Sequence, residues 1–215
     1  MKKYILFDFD GTLVNTNDVI LASWQHTYKY YLGHEVPEEH ITACFGEPLL
    51  VTMKREFPDV NPEDAAETYR SFQLENADKL VTIFPGVKEL LAALKEAGYV
   101  LGIVTSRTRN SARRYLDMFG IAEYFDGMVN CEDTTSHKPN PEPILLALEK
   151  LGAPADEAIM IGDSPFDMKC ANNAGVDAVM VGWRITCDET SLIDDAKVDY
   201  HISSPMELLD LLTGL

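Results

Sequence analysis

The sequence predicts an α/β protein: a parallel sheet with helices on both faces, plus an inserted helical domain. Three observations carry this. From about residue 84 onward, short apolar runs alternate with amphipathic segments, the rhythm of strands joined by crossover helices. Gly98, Gly120, Gly152 and Gly175 close those amphipathic segments, as expected where a left-handed residue ends a helix. Between about residues 15 and 80 the pattern changes to aromatic and helix-forming stretches with no convincing strand.

Taken in order, Tyr4-Ile5-Leu6-Phe7 is an apolar run that reads as a buried strand. Val19 to Leu32 and Asp64 to Leu80 read as helices of the insert, and His26 is expected to pack on one of them rather than to act chemically. Val87 to Ala97, Arg109 to Phe119, Pro141 to Leu151 and Phe166 to Ala174 read as helices. Tyr99 to Val104, Gly127 to Asn130, Ala158 to Ile161 and Ala178 to Val181 are the strands between and after them. The core is therefore assigned to 1–14 and 81–215 and the helical insert to 15–80, with Asn15-Thr16-Asn17 and Ile83 to Gly86 as the linkers. Such a sheet is Rossmann-like, and ligands of such sheets gather beyond the carboxyl ends of the strands.

Composition narrows the function. No apolar run approaches the ~20 residues that span a bilayer, and the apolar stretch after Met1-Lys2-Lys3 is too short for a signal peptide. A cytoplasmic protein is expected. Cys44, Cys131, Cys170 and Cys187 are scattered without a C-x-x-C spacing, which argues for reduced thiols rather than zinc or redox chemistry. A formal charge of −17 opposes nucleic-acid binding. It also repels small anions, so a phosphate-bearing substrate requires a local metal and a few placed cations.

The polar clusters fall at the strand exits. Asp8-Phe9-Asp10-Gly11-Thr12 follows the first strand, and carboxylates at i and i+2 face the same side of an extended chain. Two anions that close call for a cation or a proton. Gly11-Thr12 lets the chain turn and is expected to leave backbone N–H groups for an anion. Thr105-Ser106-Arg107 follows the strand ending at Val104 and offers a hydroxyl and N–H groups to a phosphate oxygen. In Thr135-Ser136-His137-Lys138-Pro139-Asn140-Pro141 the lysine precedes a proline, which favours an extended backbone and an inward ammonium. Gly162-Asp163-Ser164-Pro165-Phe166-Asp167 again places two carboxylates at a strand end; Asp167 also suits the start of the following helix. Together these form an inventory for Mg²⁺ and phosphate, with Asp8, Asp163 and the Asp10 carbonyl as sufficient protein ligands for an octahedral ion that keeps its waters.

These four segments resemble, in order, the four signatures of the haloacid dehalogenase superfamily of phosphotransferases. The resemblance implies that Asp8 is a nucleophile forming an aspartyl-phosphate and Asp10 the general acid and base. It implies that Thr105 and Ser106 hold the phosphoryl group, that Lys138 neutralises it, that Asp163 ligates Mg²⁺ and that Asp167 partners Lys138 or a metal-bound water. Residues 15–80 are similar to the superfamily's first class of helical cap. Asn15 to Asp18, Ser23 to Thr27, Phe45-Gly46-Glu47-Pro48-Leu49 and His137 to Pro143 further resemble the PpaX-type inorganic pyrophosphatases, close to the phosphoglycolate phosphatases. That likeness implies a hydrolase acting on pyrophosphate or another small phosphorylated molecule, with residues 45–49 as a substrate loop. Asn15 stands where the wider superfamily commonly has Asp, and Glu47 puts an anion in that loop. A β-phosphoglucomutase-like mutase usually has a histidine where Ile20 stands, and signalling receiver domains lack an acid two residues after their acceptor aspartate.

Overall fold

The computed structural model describes residues 2–44, 49–183 and 196–215. Six strands form a parallel sheet: β1 (Tyr4–Phe7), β4 (Val100–Val104), β5 (Gly127–Val129), β6 (Ala158–Gly162), β7 (Asp177–Val181) and β8 (Tyr200–Ile202). Their spatial order is β5-β4-β1-β6-β7-β8, so the chain builds outward from β1 in one direction and then crosses to its other side. That reversal creates the crevice where open parallel sheets take their ligands. In register, Phe7 lies opposite Ile103 of β4 and Ile161 of β6. The exits of the three central strands are thereby level, which brings Asp8, Thr105 and Asp163 to one end of the sheet.

Helices α5 (Val87–Glu96), α6 (Arg109–Phe119), α7 (Glu142–Leu151), α8 (Pro165–Ala174) and α9 (Glu207–Thr213) accompany the sheet. Because successive strand residues point to opposite faces, a sheet covered on both sides buries nearly all of them. Ile5, Leu6, Leu101, Ile103, Ile159 and Met160 are accordingly sealed from solvent. One face packs Leu6, Val104 and Met160 against Ile144 and Leu148 of α7 and Met168 and Ala171 of α8. Gly102 matters to that packing: a Cβ there would lie 2.8 Å from Leu6 Cδ2 and 3.0 Å from Leu151 Cδ1.

The described chain divides into two compact units, residues 15–82 and the remainder. The first holds α1 (Asn17–Leu32), α2 (Glu38–Thr42), α3 (Leu49–Glu56) and α4 (Pro62–Leu80). It has its own core of Trp24, Tyr28, Ile41, Met53, Phe57, Ala65, Ala66 and Tyr69. The Asn61 side chain accepts the Glu63 N–H, and Pro62 opens the first turn of α4, a strong local start signal. His26 stacks on Phe72 at 4.4 Å between ring centroids. At the two chain connections, β2 (Val14–Asn15) and β3 (Thr82–Ile83) pair as a two-stranded sheet.

Several elements differ from the sequence expectation. Helices α2 and α3 are too short to show a sustained 3.6-residue period, and the two-residue strands β2 and β3 have no pattern of their own. Strand β8 and helix α9 lie beyond the last element the sequence predicts; Tyr200-His201-Ile202 offers only three residues of pattern. No helix among the described residues is long and apolar enough to cross a membrane. Of the expected substrate loop, Leu49 begins α3, while Phe45, Gly46, Glu47 and Pro48 lie outside the described residues, as does Cys187.

Leu6 joins the central strand to the α7–α8 layer, so Leu6→Ala removes a fully enclosed side chain. Denaturant unfolding is expected to show a loss of about 2–5 kcal/mol.

Candidate active site

The last bond between β1 and β6 is donated by the Asp8 N–H to Ile161 O at 2.8 Å, which fixes the Asp8 backbone against β6. The chain then turns sharply. Leu13 N and Val14 N both donate to Phe9 O, Gly11 N donates to Val14 O at 2.9 Å, and Gly11 adopts φ +76°. The Gly11 N–H is thus consumed by the turn, contrary to the expectation that it serves an anion; a hairpin this tight satisfies its own backbone donors. Gly11 has a second purpose, because a Cβ at this position would lie 2.1 Å from Asp163 Oδ2. Gly162 does the same for Asp167, whose Cβ would be 2.4 Å away. Two glycines therefore leave the volume that two carboxylates fill.

Lys138 ties these groups together. Its Nζ donates to Asp8 Oδ1 and to Asp167 Oδ1, each at 2.6 Å, with only 6% of the lysine side chain exposed. Asp167 is engaged on its other oxygen as well. Oδ2 accepts from Ser164 N at 3.2 Å and Ser164 Oγ at 2.7 Å, forming a reciprocal cap at the start of α8. Both sequence expectations for Asp167, helix start and lysine partner, thus describe the same side chain. Glu142, at the start of α7, accepts from Thr135 N and Ser136 N at 3.0 and 2.8 Å. The loop carrying Lys138 is thereby fastened from behind.

Asp10 takes a different cation. Arg107 Nε and Nη2 donate to its two oxygens at 2.7 Å each, a bidentate pair. Arg107 Nη1 also donates to Ser111 Oγ at 2.7 Å, and its guanidinium lies 4.8 Å from the Tyr115 ring centroid. Thr105 is buried and its Oγ1 accepts the Arg107 backbone N–H at 3.1 Å; Ser106 is exposed. Thr105, Ser106 and Lys138 line one pocket together with Asn130, Thr134 and His137. Among the described residues, Asn130 Oδ1 and Thr134 Oγ1 are buried there without a hydrogen-bond partner.

Burial, together with crowded charge, explains the unusual protonation in this cluster. Carboxylate oxygens of Asp8, Asp163 and Asp167 lie within 4.8 Å of one another, and one ammonium stands against three carboxylates. Burial raises the Asp8 carboxyl to about 7; Lys138 opposes the rise, while Asp167 and Asp10 add to it. Burial and the Asp8 and Asp167 charges likewise hold Asp163 well above the ordinary carboxylate range. Burial alone would lower Lys138, but Asp167 and Asp8 outweigh it and hold the ammonium above its usual value. A close set of hard oxygen donors with excess negative charge fits a divalent cation such as Mg²⁺. Hydrogen bonds already occupy both Asp167 oxygens.

The structure therefore brings Asp8, Asp163, Asp167 and Lys138 together, gathers Thr105 and Ser106 beside Lys138, and gives Asp10 a separate partner. Sequence reasoning notices Arg107 only as part of a Thr-Ser-Arg run. Its signal is an arginine two residues after the strand-end hydroxyl, the spacing that lets its backbone cap Thr105 while its side chain reaches Asp10. Among the described cysteines, Cys44, Cys131 and Cys170 form no disulfide.

Residues 5–181 match the model of the haloacid dehalogenase-like hydrolases. The chain belongs to this family. It is 39% identical over 214 residues to the pyrophosphatase PpaX of Bacillus velezensis, covering 98% of this chain and 96% of the relative. It is 38% identical over 208 residues to the pyrophosphatase PpaX of Halalkalibacterium halodurans, covering 97% and 95%. Among solved structures, a haloacid dehalogenase-like hydrolase from Streptococcus pneumoniae aligns with a TM-score of 0.83 and 27% identity, covering 98% of both chains. This haloacid dehalogenase-like chain is thus a hydrolase with an α/β core of the family's type.

The raised Asp8 carboxyl gives a pH test. Unfolded, Asp8 loses its proton near 3.8; folded, it keeps it to about 7. The folded state therefore binds more protons between these values, so this group's contribution to stability is lost as pH rises through that window. In chelator, Asp8→Asn is expected to gain stability relative to the parent as pH increases from about 5 to about 8, measured as the difference in Tm. A pH-independent difference would contradict the assignment.

Proposed function

We propose that this hydrolase is a Mg²⁺-dependent phosphohydrolase acting through an aspartyl-phosphate on Asp8, with inorganic pyrophosphate as its substrate. The observation that carries the reading is the buried Lys138 ammonium bound to both Asp8 and Asp167 within an acidic trio. Pyrophosphate as the substrate is supported by the names of the relatives. The insert, residues 15–80, is read as the family's helical cap, and part of substrate selection is assigned to it.

Asp8, Asp163 and the Asp10 carbonyl would hold Mg²⁺, which when bound supplies positive charge against the transferring phosphoryl group. Asp8 attacks phosphorus through a carboxylate oxygen; a P–O bond forms to Asp8 and the P–O bond to the leaving group breaks. Lys138 favours the ionised, nucleophilic form of Asp8 and offsets charge on the phosphoryl oxygens. The Thr105 hydroxyl and the Ser106 backbone N–H orient those oxygens. Asp10 protonates the departing oxygen. In the second half it takes a proton from the water that attacks phosphorus, releasing phosphate and regenerating Asp8. Asp167 is a positioning residue that holds the ammonium of Lys138.

Asp8→Asn is expected to lower phosphate release by about 10³-fold or more while the circular dichroism spectrum stays that of the parent. Metal-free protein in EDTA should release no phosphate and should regain activity on addition of Mg²⁺; turnover persisting in chelator would overturn the metal assignment. Initial rates on pyrophosphate, phosphoglycolate, hexose phosphates and nucleotides decide the substrate. A preference for phosphoglycolate, or comparable rates on all, would replace pyrophosphatase by phosphoglycolate phosphatase or a broad phosphomonoesterase.

A further inference from the structure

We infer that Arg107 is the cation that recognises the leaving side of the substrate and that it selects leaving groups carrying their own anionic charge. This rests on the phosphohydrolase reading above and extends it to a substrate class. In the resting protein the guanidinium is paired with Asp10; on binding it takes the second phosphoryl group of a diphosphate.

Four observations lead here. First, Lys138 is fully committed, its Nζ lying between two carboxylates that are 11% and 2% exposed. It suits the transferred phosphoryl group, and a second charged group on the substrate calls for another cation. Second, Arg107 is anchored to that same pocket through its backbone bond to Thr105 Oγ1, while its head group reaches the carboxylate two residues beyond Asp8. Third, the Arg107–Asp10 pair is partly accessible to solvent, at 20% and 36% side-chain exposure. An anion arriving on the Asp10 side can therefore reach the guanidinium and compete for its fork. Fourth, the guanidinium plane is fixed by Ser111 and by the faces of Tyr115 and Phe9, at 4.8 and 5.8 Å. Its planar fork is therefore preorganised for any two-oxygen anion, and a phosphate group, with more charge than a carboxylate, is the stronger partner. In a chain of net charge −17, a doubly charged substrate requires such a placed cation.

The alternative is that Arg107 only holds Asp10 in place, in which case it acts on every substrate alike. Calorimetric binding in Mg²⁺ of methylenediphosphonate, which has two phosphonate groups, and of methylphosphonate, which has one, separates the two. Arg107→Gln is expected to weaken methylenediphosphonate about 10- to 100-fold and methylphosphonate by less than about 3-fold. Arg107→Lys, which keeps the charge and most of the volume but loses the fork, should fall between parent and Arg107→Gln for methylenediphosphonate, and it decides the matter if the glutamine variant does not fold. In turnover, kcat/KM for pyrophosphate should fall at least about 10-fold further than kcat/KM for p-nitrophenyl phosphate. Equal weakening of both phosphonates, or none in either folded variant, would overturn the inference. Parent protein that hydrolyses phosphomonoesters yet binds the two phosphonates equally would overturn it alone. Parent protein that binds neither phosphonate and hydrolyses no phosphate ester would overturn the phosphohydrolase reading instead.

Discussion

One buried ammonium holds this site together. Lys138 Nζ lies 2.6 Å from both Asp8 and Asp167, the first carboxylate at the exit of β1 and the second in the first turn of α8. Carboxylates this crowded repel one another, and removing one partner of a buried, hydrogen-bonded charge pair costs about 3–5 kcal/mol. The rest of the local structure follows from keeping that ammonium in place. Glu142 fastens the loop on which it sits, Ser164 holds the far oxygen of Asp167, and the β1–β6 ladder fixes the Asp8 backbone. The lysine does not complete the charge balance. Asp8 and Asp163 remain raised, and the residual negative charge is what suits the cluster to a divalent cation.

Space is provided as deliberately as charge. Gly11 and Gly162 sit where any side chain would collide with Asp163 or Asp167. Gly11 also needs its left-handed φ for the turn out of β1. The same residue thus solves a backbone problem and a packing problem. The sheet order places β4 and β6 on either side of β1. A hydroxyl from one neighbour and a carboxylate from the other therefore flank the Asp8 turn at the switch point of the fold.

The two carboxylates of the first motif meet different surroundings although only one residue separates them. Asp8 is buried against a lysine that also serves Asp167, whereas Asp10 faces a partly buried arginine. A point-charge ammonium suits a group that must stay close to several anions, and a planar fork suits a group that can exchange one two-oxygen partner for another. An acidic chain can in this way accommodate an anionic substrate through two placed cations rather than through its overall field.

The sequence by itself determined the α/β class, strand β1 and strands β4 to β7, the longer helices and the positions of the acidic, hydroxyl and lysine residues at strand exits. These are local properties: hydrophobic period, glycine stops and motif spacing act over a few residues and need no knowledge of the rest of the chain. Helices α2 and α3, strand β8 and helix α9 were not legible, because segments this short carry too little periodicity and are stabilised by what they pack against. Only the tertiary structure decided that Gly11 N–H is spent inside its turn, that Asp167 serves helix α8 and Lys138 at once, and that Asp10 is paired with Arg107 across 97 positions of chain. Spacing along a chain says which side a residue faces, but the identity of the charge that meets it depends on which strand exits lie side by side.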